Sequence, residues 1–143
     1  MRKLYFILSA ALILVISSAL LLLYAGEKGK GEIKAQVIEG TLIDTKCYAM
    51  GAFVTNDHKD MKGNRLPNCA TACAAMGIPV GILDSEKTVH IIAGPASGYS
   101  QWMAMEIRLS GMYGKHAPVF IPEKIEVKEK GKWVQKELPG AMM

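Results

Sequence analysis

The amino-terminal end of the chain carries an uncharged run of 22 residues, from Leu4 to Ala25. As an α-helix this run would span about 33 Å, which is enough to cross the hydrocarbon core of a bilayer. A cleaved signal peptide has a shorter apolar run and a small residue three positions before the cleavage point, where cleavage after Ala25 would leave Leu23. The sequence therefore predicts a signal anchor over residues 1–25, and removal of the segment is the alternative.

The distribution of basic residues predicts which side of the membrane each end occupies. Arg2 and Lys3 precede the apolar run, so the amino terminus is expected in the cytoplasm. Residues 26–34, GEKGKGEIK, are typical of a glycine- and lysine-rich linker. We therefore expect a single-pass protein of the cell membrane whose carboxy-terminal domain is extracytoplasmic, in the periplasm or on the outer face.

The charge and motif content argue against several functional classes. The chain carries 17 basic and 13 acidic residues, and without Arg2 and Lys3 the remainder has 15 basic and 13 acidic residues, a net charge of +2. Nucleic-acid-binding domains concentrate far more positive charge on one face. No P-loop, GxSxG or HExxH motif follows the linker. The sequence therefore indicates a binding module more than an enzyme.

Residues 35–138 show the short alternating segments of an all-β domain. Ile125 and Val127 alternate with charged residues, which predicts a strand with one buried face. Similar segments give about five strands, one helix between the third and fourth, and an insertion over residues 48–77. This order predicts a mainly β fold, a small OB-like Greek-key β-barrel with one capping helix and a cysteine-bearing helical insertion. Residues 139–143 are a tail.

The segment NCATACAAMG predicts a short helix that carries two cysteines. Asn68 is a favourable N-cap residue, the alanines favour helix, and Gly77 provides a stop. The spacing of four residues places Cys69 and Cys73 one turn apart on the same helical face. Two thiols held in this way can bind one ligand together.

Three cysteines and one histidine form a spaced set along the chain, Cys47-x10-His58-x10-Cys69-x3-Cys73. Cys47 is predicted to close the first strand, and His58 lies on the arm that leads to the helix. Three thiolates and one imidazole form a tetrahedral ligand set that suits zinc, and thiolate-rich sites also take Cu(I) or iron. We therefore predict one metal ion, zinc in the first instance, with these four residues as ligands. The nearby acids Asp44, Asp57 and Asp60 could orient His58 without binding the metal, but acids in a polar loop are usually solvated.

Other uses of the cysteines stay open from the sequence. In an oxidising compartment Cys47 would form a disulfide with Cys69 or Cys73 and leave one spare thiol, in an interaction module without metal. A thiol/disulfide redox protein would need an accessible thiol of low pKa. A nucleophile made of a cysteine and His58 is a third alternative.

Four segments, GTLIDTKCY, NDH, PNCATACAAMGIPVGIL and IPEKIEV, resemble a group of small uncharacterised bacterial proteins. Members of that group are exported or membrane-anchored OB-like β-barrels, with a cysteine near the end of the first strand and a Cys-x3-Cys segment after it. The resemblance covers residues 39–128 and implies a shared site at Cys47, His58, Cys69 and Cys73. It implies no activity.

The sequence as a whole predicts a membrane-anchored extracytoplasmic domain in which the metal is structural. Four protein ligands leave no coordination position for a substrate, so the surface of the barrel would serve as a partner-binding module. The expected partners are the membrane, through the amino-terminal helix, and another envelope or respiratory-complex protein.

Overall fold

The computed structural model of the protein describes residues 35–140. The predicted membrane anchor over residues 1–25, the predicted linker over residues 26–34 and the end of the predicted tail lie outside the described residues. Within residues 35–140, no helix has both the length and the apolarity that a membrane crossing requires.

Eight strands and three short α-helices make up the described part of the chain. In chain order their bounds are β1 (Gln36–Asp44), α1 (Thr45–Gly51), β2 (His58–Lys59), β3 (Arg65–Leu66), α2 (Cys69–Ala75), β4 (Val80–Leu83), β5 (Val89–Ile91), α3 (Ala96–Tyr99) with a 3-10 helix directly after it (Ser100–Trp102), β6 (Glu106–Tyr113), β7 (Phe120–Glu129) and β8 (Lys132–Lys136).

Six of the strands form one antiparallel sheet in the order β5-β4-β1-β6-β7-β8. β1 is shared between two neighbours, because its residues 36–41 pair with β6 and its residues 41–44 pair with β4. β2 and β3 pair with each other in a separate two-stranded sheet. The prediction of a mainly β fold is confirmed, and α1, β2, β3 and α2 together form the insertion between β1 and β4.

The six-stranded sheet does not close into a barrel within the described residues, so that part of the prediction needs correction. β5 and β7 meet only through a single parallel bridge between Ile92 and Phe120, next to which the backbone N–H of Ala93 donates to the carbonyl of Phe120 at 2.8 Å. The physical reason is the length of β5, which has three residues and is followed by Gly94 and Pro95. Proline has no backbone N–H, so it cannot extend a ladder as a donor.

Gly40 allows β1 to pass close to β4 at the point where β1 changes partners. A Cβ atom built on Gly40 would lie 2.1 Å from the carbonyl oxygen of Leu83, far inside van der Waals contact. Only glycine brings two backbones this close without a shift. The same close approach positions the end of β1, where Asp44 begins the insertion.

The hydrophobic core lies between the sheet and the segment that contains α3. Ile125 and Val127 are fully buried, as their alternation with charged residues predicts. Tyr99 and Trp102 pack edge to face, with ring centroids 6.2 Å apart, and both are buried in the same cluster. Ala70 and Ala74 of α2 belong to this cluster too, so the helix that carries two cysteines is anchored to the core of the sheet.

Candidate metal centre

Cys47 lies on helix α1 and not at the end of β1, where the sequence analysis placed it. β1 ends at Asp44, and the Asp44 side chain caps the helix that starts at the next residue. Its Oδ1 accepts hydrogen bonds from the backbone N–H groups of Lys46 at 2.9 Å and Cys47 at 3.2 Å. Asp is among the preferred N-cap residues, because its side chain satisfies N–H groups that have no partner within the helix.

Helix α2 carries Cys69 and Cys73 as predicted, but a different residue caps it. Asn68 adopts a left-handed backbone conformation with φ 54°, and its side chain makes no capping bond. The cap comes from Asn56, whose Oδ1 accepts from the backbone N–H of Thr71 at 3.0 Å. α2 is therefore held at its start by a residue from the preceding loop, and this bond fixes the two cysteines relative to that loop.

The three cysteine sulfurs come together although they lie on two different helices. The Sγ atoms of Cys47, Cys69 and Cys73 are all within 4.8 Å of one another, and none of the three residues forms a disulfide. Cys47 is buried, whereas Cys69 and Cys73 are half-buried. Three sulfurs at this separation can hold one metal ion, since ligands about 2.3 Å from a common centre lie within that range of one another.

His58 is buried beside this cluster, with 2% of its surface exposed. Its Nε2 lies 2.8 Å from the carbonyl oxygen of Thr55. A carbonyl only accepts, so Nε2 carries the hydrogen, and in the neutral imidazole Nδ1 is left with a lone pair. Nδ1 is buried and has no hydrogen-bond partner. The ring also stacks on Phe53, with centroids 4.9 Å apart, which fixes its plane.

Asp44 is the member of the site that the sequence analysis underestimated. Its second carboxylate oxygen, Oδ2, is buried without a hydrogen-bond partner. Asp44, Cys47 and His58 each offer one ligand atom, and these three atoms lie within 4.8 Å of one another. Cys47 also belongs to the group of three sulfurs. The signal in the sequence was an aspartate at the end of a strand, directly before the first residue of α1, which is typical of an N-cap.

The thiols of Cys47 and Cys73 are protonated at neutral pH when no metal is bound. Burial, and after it the neighbouring Asp44 carboxylate, raise the pKa of Cys47 to about 11 and the pKa of Cys73 to about 12. Both causes disfavour the thiolate, because it would be a second anion in a poorly solvated place. This environment is the opposite of the one that activates redox cysteines, which lowers the thiol pKa.

The other two aspartates of the insertion have structural partners. The Asp57 side chain pairs with Arg65 and accepts from the backbone N–H of Asn68, and Asp60 accepts from Asn64 in the turn between β2 and β3. Both carboxylates hold the loop and are engaged there. The candidate ligand atoms form two groups that share Cys47, one with Cys69 and Cys73 and the other with Asp44 and His58.

Comparison with models of protein families, with curated proteins and with solved structures found no match for the chain. The function is therefore argued from the geometry of the site.

Proposed function

We propose that the domain binds one Zn²⁺ ion through the sulfurs of Cys47, Cys69 and Cys73 and through Nδ1 of His58. The observation that carries this proposal is the tautomer of His58. A metal-binding histidine usually donates its second ring N–H to a carbonyl or carboxylate, which orients the ring and leaves the other nitrogen for the metal. The hydrogen bond from His58 to Thr55 has this arrangement. The free Nδ1 is buried, and a ring nitrogen of His58 belongs to a buried group of donors that includes Cys47.

The donor types favour zinc over the other metals that the sequence allows. Three thiolates and one imidazole form one of the common sets of structural zinc sites. Cu(I) binds best where all the ligands are soft, and iron–sulfur clusters are held mainly by thiolates. An imidazole ring nitrogen in the same group as the Cys47 thiol therefore supports zinc.

The proposed role of the ion is structural. β2 and β3 contribute only two residues each to their sheet, and helices of seven residues are marginal without tertiary contacts. An ion bound at the four side chains would connect α1, β2 and α2 at one point. Because every ligand of the ion would be a protein side chain, no position would be left for a substrate.

We propose further that this domain is an OB-like module displayed outside the cytoplasm on the predicted anchor over residues 1–25. The strand order supports the OB-like assignment, because an OB-fold is a partly open five-stranded barrel and the bridge between Ile92 and Phe120 brings β5 beside β7. The apolar run from Leu4 to Ala25 supports the anchor. An envelope or respiratory-complex protein would be the partner of the module.

The test of metal binding uses the full chain, produced without oxygen and extracted in detergent, with metal content and free thiols measured on the same sample. We expect about one zinc per chain, loss of the metal in Cys47→Ser, Cys69→Ser and Cys73→Ser, and weaker binding in His58→Ala. Met50→Leu is the matched control, because Met50 is exposed and lies one turn after Cys47 on the same helix. A metal-free sample with one disulfide and one free thiol would refute the proposal and support a stapled interaction module.

Topology is tested separately with a reporter enzyme fused after Met143 that is active only outside the cytoplasm. Activity of the full-length fusion, with the mass of the uncleaved chain, would support an anchored extracytoplasmic domain. An inactive fusion of normal abundance would contradict it.

A further inference from the structure

We propose that Asp44 is a direct ligand of the same ion, through Oδ2, and that it makes the site selective for a divalent cation over Cu(I). This inference rests on the proposed function, because it concerns the same ion. It adds a donor that the cysteine and histidine pattern does not contain, and it specifies the class of metal that the site accepts.

The Asp44 carboxylate is held in one orientation by the helix that it caps. Oδ1 accepts from the backbone N–H groups of Lys46 and Cys47, and these two bonds fix the plane of the group. Oδ2, the other oxygen, is buried and has no hydrogen-bond partner. The residue as a whole is 1% exposed, so water cannot easily solvate this oxygen.

No positive side chain compensates the buried carboxylate. Within residues 35–140, Asp44 forms no ion pair with a lysine, arginine or histidine. A buried carboxylate without a positive partner is unfavourable unless a cation or hydrogen-bond donors compensate it. The fold tolerates this arrangement at low cost if a cation occupies the space beside Oδ2.

The unpartnered nitrogen of His58 identifies where that cation would lie. Oδ2 of Asp44 and Nδ1 of His58 are both buried and both lack a hydrogen bond, so they are not bonded to each other. Asp44 and His58 nevertheless each offer an atom within 4.8 Å of the other and of the Cys47 sulfur. Oxygen and nitrogen ligands lie about 2.0–2.2 Å from zinc, so one ion can contact both residues across a gap of this size.

The added oxygen changes which metals the site prefers. A carboxylate is a hard ligand and an imidazole a borderline one, and both suit Zn²⁺, Co²⁺ or Fe²⁺. Cu(I) is soft and is favoured where thiolates and thioethers are the only donors. A divalent ion bound by Asp44 and His58 also offsets the negative charge of the buried carboxylate. Monovalent Cu(I) carries less positive charge and offsets it less.

The experiment compares wild type with Asp44→Asn in the full chain, since asparagine keeps an oxygen that can cap α1 and removes the negative charge. Both proteins are freed of metal, loaded with Co²⁺ without oxygen and titrated with Zn²⁺ and Cu(I). We expect the sulfur-to-cobalt charge-transfer bands to persist in Asp44→Asn while its d–d bands change, because the sulfurs stay and the oxygen ligand is lost. The Zn²⁺ affinity should fall about tenfold or more, and the preference for Zn²⁺ over Cu(I) should decrease.

X-ray absorption at the zinc edge of the wild-type protein provides a measurement that depends on no variant. Three sulfur and two oxygen or nitrogen ligands would support the inference, and three sulfur with one nitrogen ligand would overturn it. Unchanged cobalt bands and unchanged zinc affinity in Asp44→Asn would overturn it as well. Wild-type protein that binds no metal would instead refute the proposed function, so the two failures can be distinguished.

Discussion

The backbone N–H of Cys47 donates a hydrogen bond to Oδ1 of Asp44 at 3.2 Å, and a carboxylate oxygen of Asp44 lies within 4.8 Å of the Cys47 sulfur. One side chain therefore starts the helix and contributes to the cluster that the helix carries. Asp44→Ala is therefore expected to affect both the helix start and the proposed metal site.

The two roles of Asp44 can be separated in the metal-free protein. Asp44→Ala removes the cap and should lower the free energy of unfolding by about 1 kcal/mol more than Asp44→Asn, which can still accept from the Cys47 N–H. Urea unfolding in the presence of a chelator measures both variants. Equal stability of the two variants would show that the cap contributes nothing.

His58→Phe should separate packing from metal binding. Phenylalanine can stack on Phe53, and it removes the buried Nδ1 that has no partner, while the bond to Thr55 is lost. These effects oppose each other, so the stability of the metal-free protein should change by no more than about 1 kcal/mol. Zinc affinity, measured by competition with a chromophoric chelator, should fall at least about tenfold. A large loss of metal-free stability with unchanged affinity would contradict the assignment of His58 as a ligand.

Zinc affinity should depend steeply on pH. The pKa of Cys47 is raised to about 11 and that of Cys73 to about 12, so both thiols hold protons at neutral pH and must release them to bind the ion. The apparent affinity should therefore rise with pH by at least about two orders of magnitude per unit between pH 6 and pH 8. Calorimetry in buffers of different ionisation enthalpy counts the protons released. Release of fewer than one proton per zinc would be inconsistent with these thiols as ligands.

Asp84 should stabilise the sheet only above strongly acidic pH. Its side chain accepts from Nε2 of His90 at 2.8 Å, and this bond, followed by the bond from the Thr88 backbone, holds the pKa of Asp84 below its usual value of 3.8. A carboxyl group whose pKa is lower in the folded state than in the unfolded state stabilises the fold at pH values above its unfolded-state pKa. This stabilisation is lost as the pH falls through the folded-state pKa. Asp84→Asn should therefore be less stable than wild type at pH 7, and the difference should shrink towards pH 3.

Glu123→Gln provides the control for this measurement, because Glu123 is exposed and forms no ion pair within the described part of the chain. Its stability should follow that of wild type at both pH values. A difference for Asp84→Asn that stays constant from pH 7 to pH 3 would contradict the role of the Asp84 charge.

Gly40→Ala should destabilise the sheet where β1 changes partners. The added methyl group would lie 2.1 Å from the carbonyl oxygen of Leu83, so two strands must move apart, at a cost of about 3 kcal/mol. Gly98→Ala is the matched comparison, since its methyl group would meet the side chain of Pro139 near the end of the chain. Displacing that terminal segment should cost about 1 kcal/mol or less. Thermal unfolding of both variants ranks them, and a reversed order would contradict the close approach at Gly40.

The faces of single strands and helices were predictable from the spacing of residues along the sequence. The alternation around Ile125 and Val127 indicated a strand with one buried face, and the spacing of Cys69 and Cys73 indicated one face of a helix. Both predictions depend only on the side-chain period within one strand or one helix. The strand order beyond these elements depends on pairing between distant segments, which a local pattern does not contain.

The parts of the site that were missed depend on contacts distant in sequence or on very short elements. α1 has seven residues, too few for a clear period, so Cys47 was assigned to the strand before it. The cap of α2 comes from Asn56 and not from the adjacent Asn68, because the loop folds back over the helix start. Asp44 looked like a solvated acid, since burial of a charged residue depends on tertiary structure.

The insertion between β1 and β4 has one further consequence for the unfolded chain. Its candidate ligands start at Asp44, where β1 ends, and finish at Cys73, shortly before β4. An ion that joins them would act as a reversible cross-link and would reduce the conformational entropy of the loop, as a disulfide does but without oxidation. Loss of the ion should therefore loosen the insertion first and leave the pairing of β1 with β6 in place, so amide hydrogen exchange would accelerate in α1 and α2 before it does in the sheet.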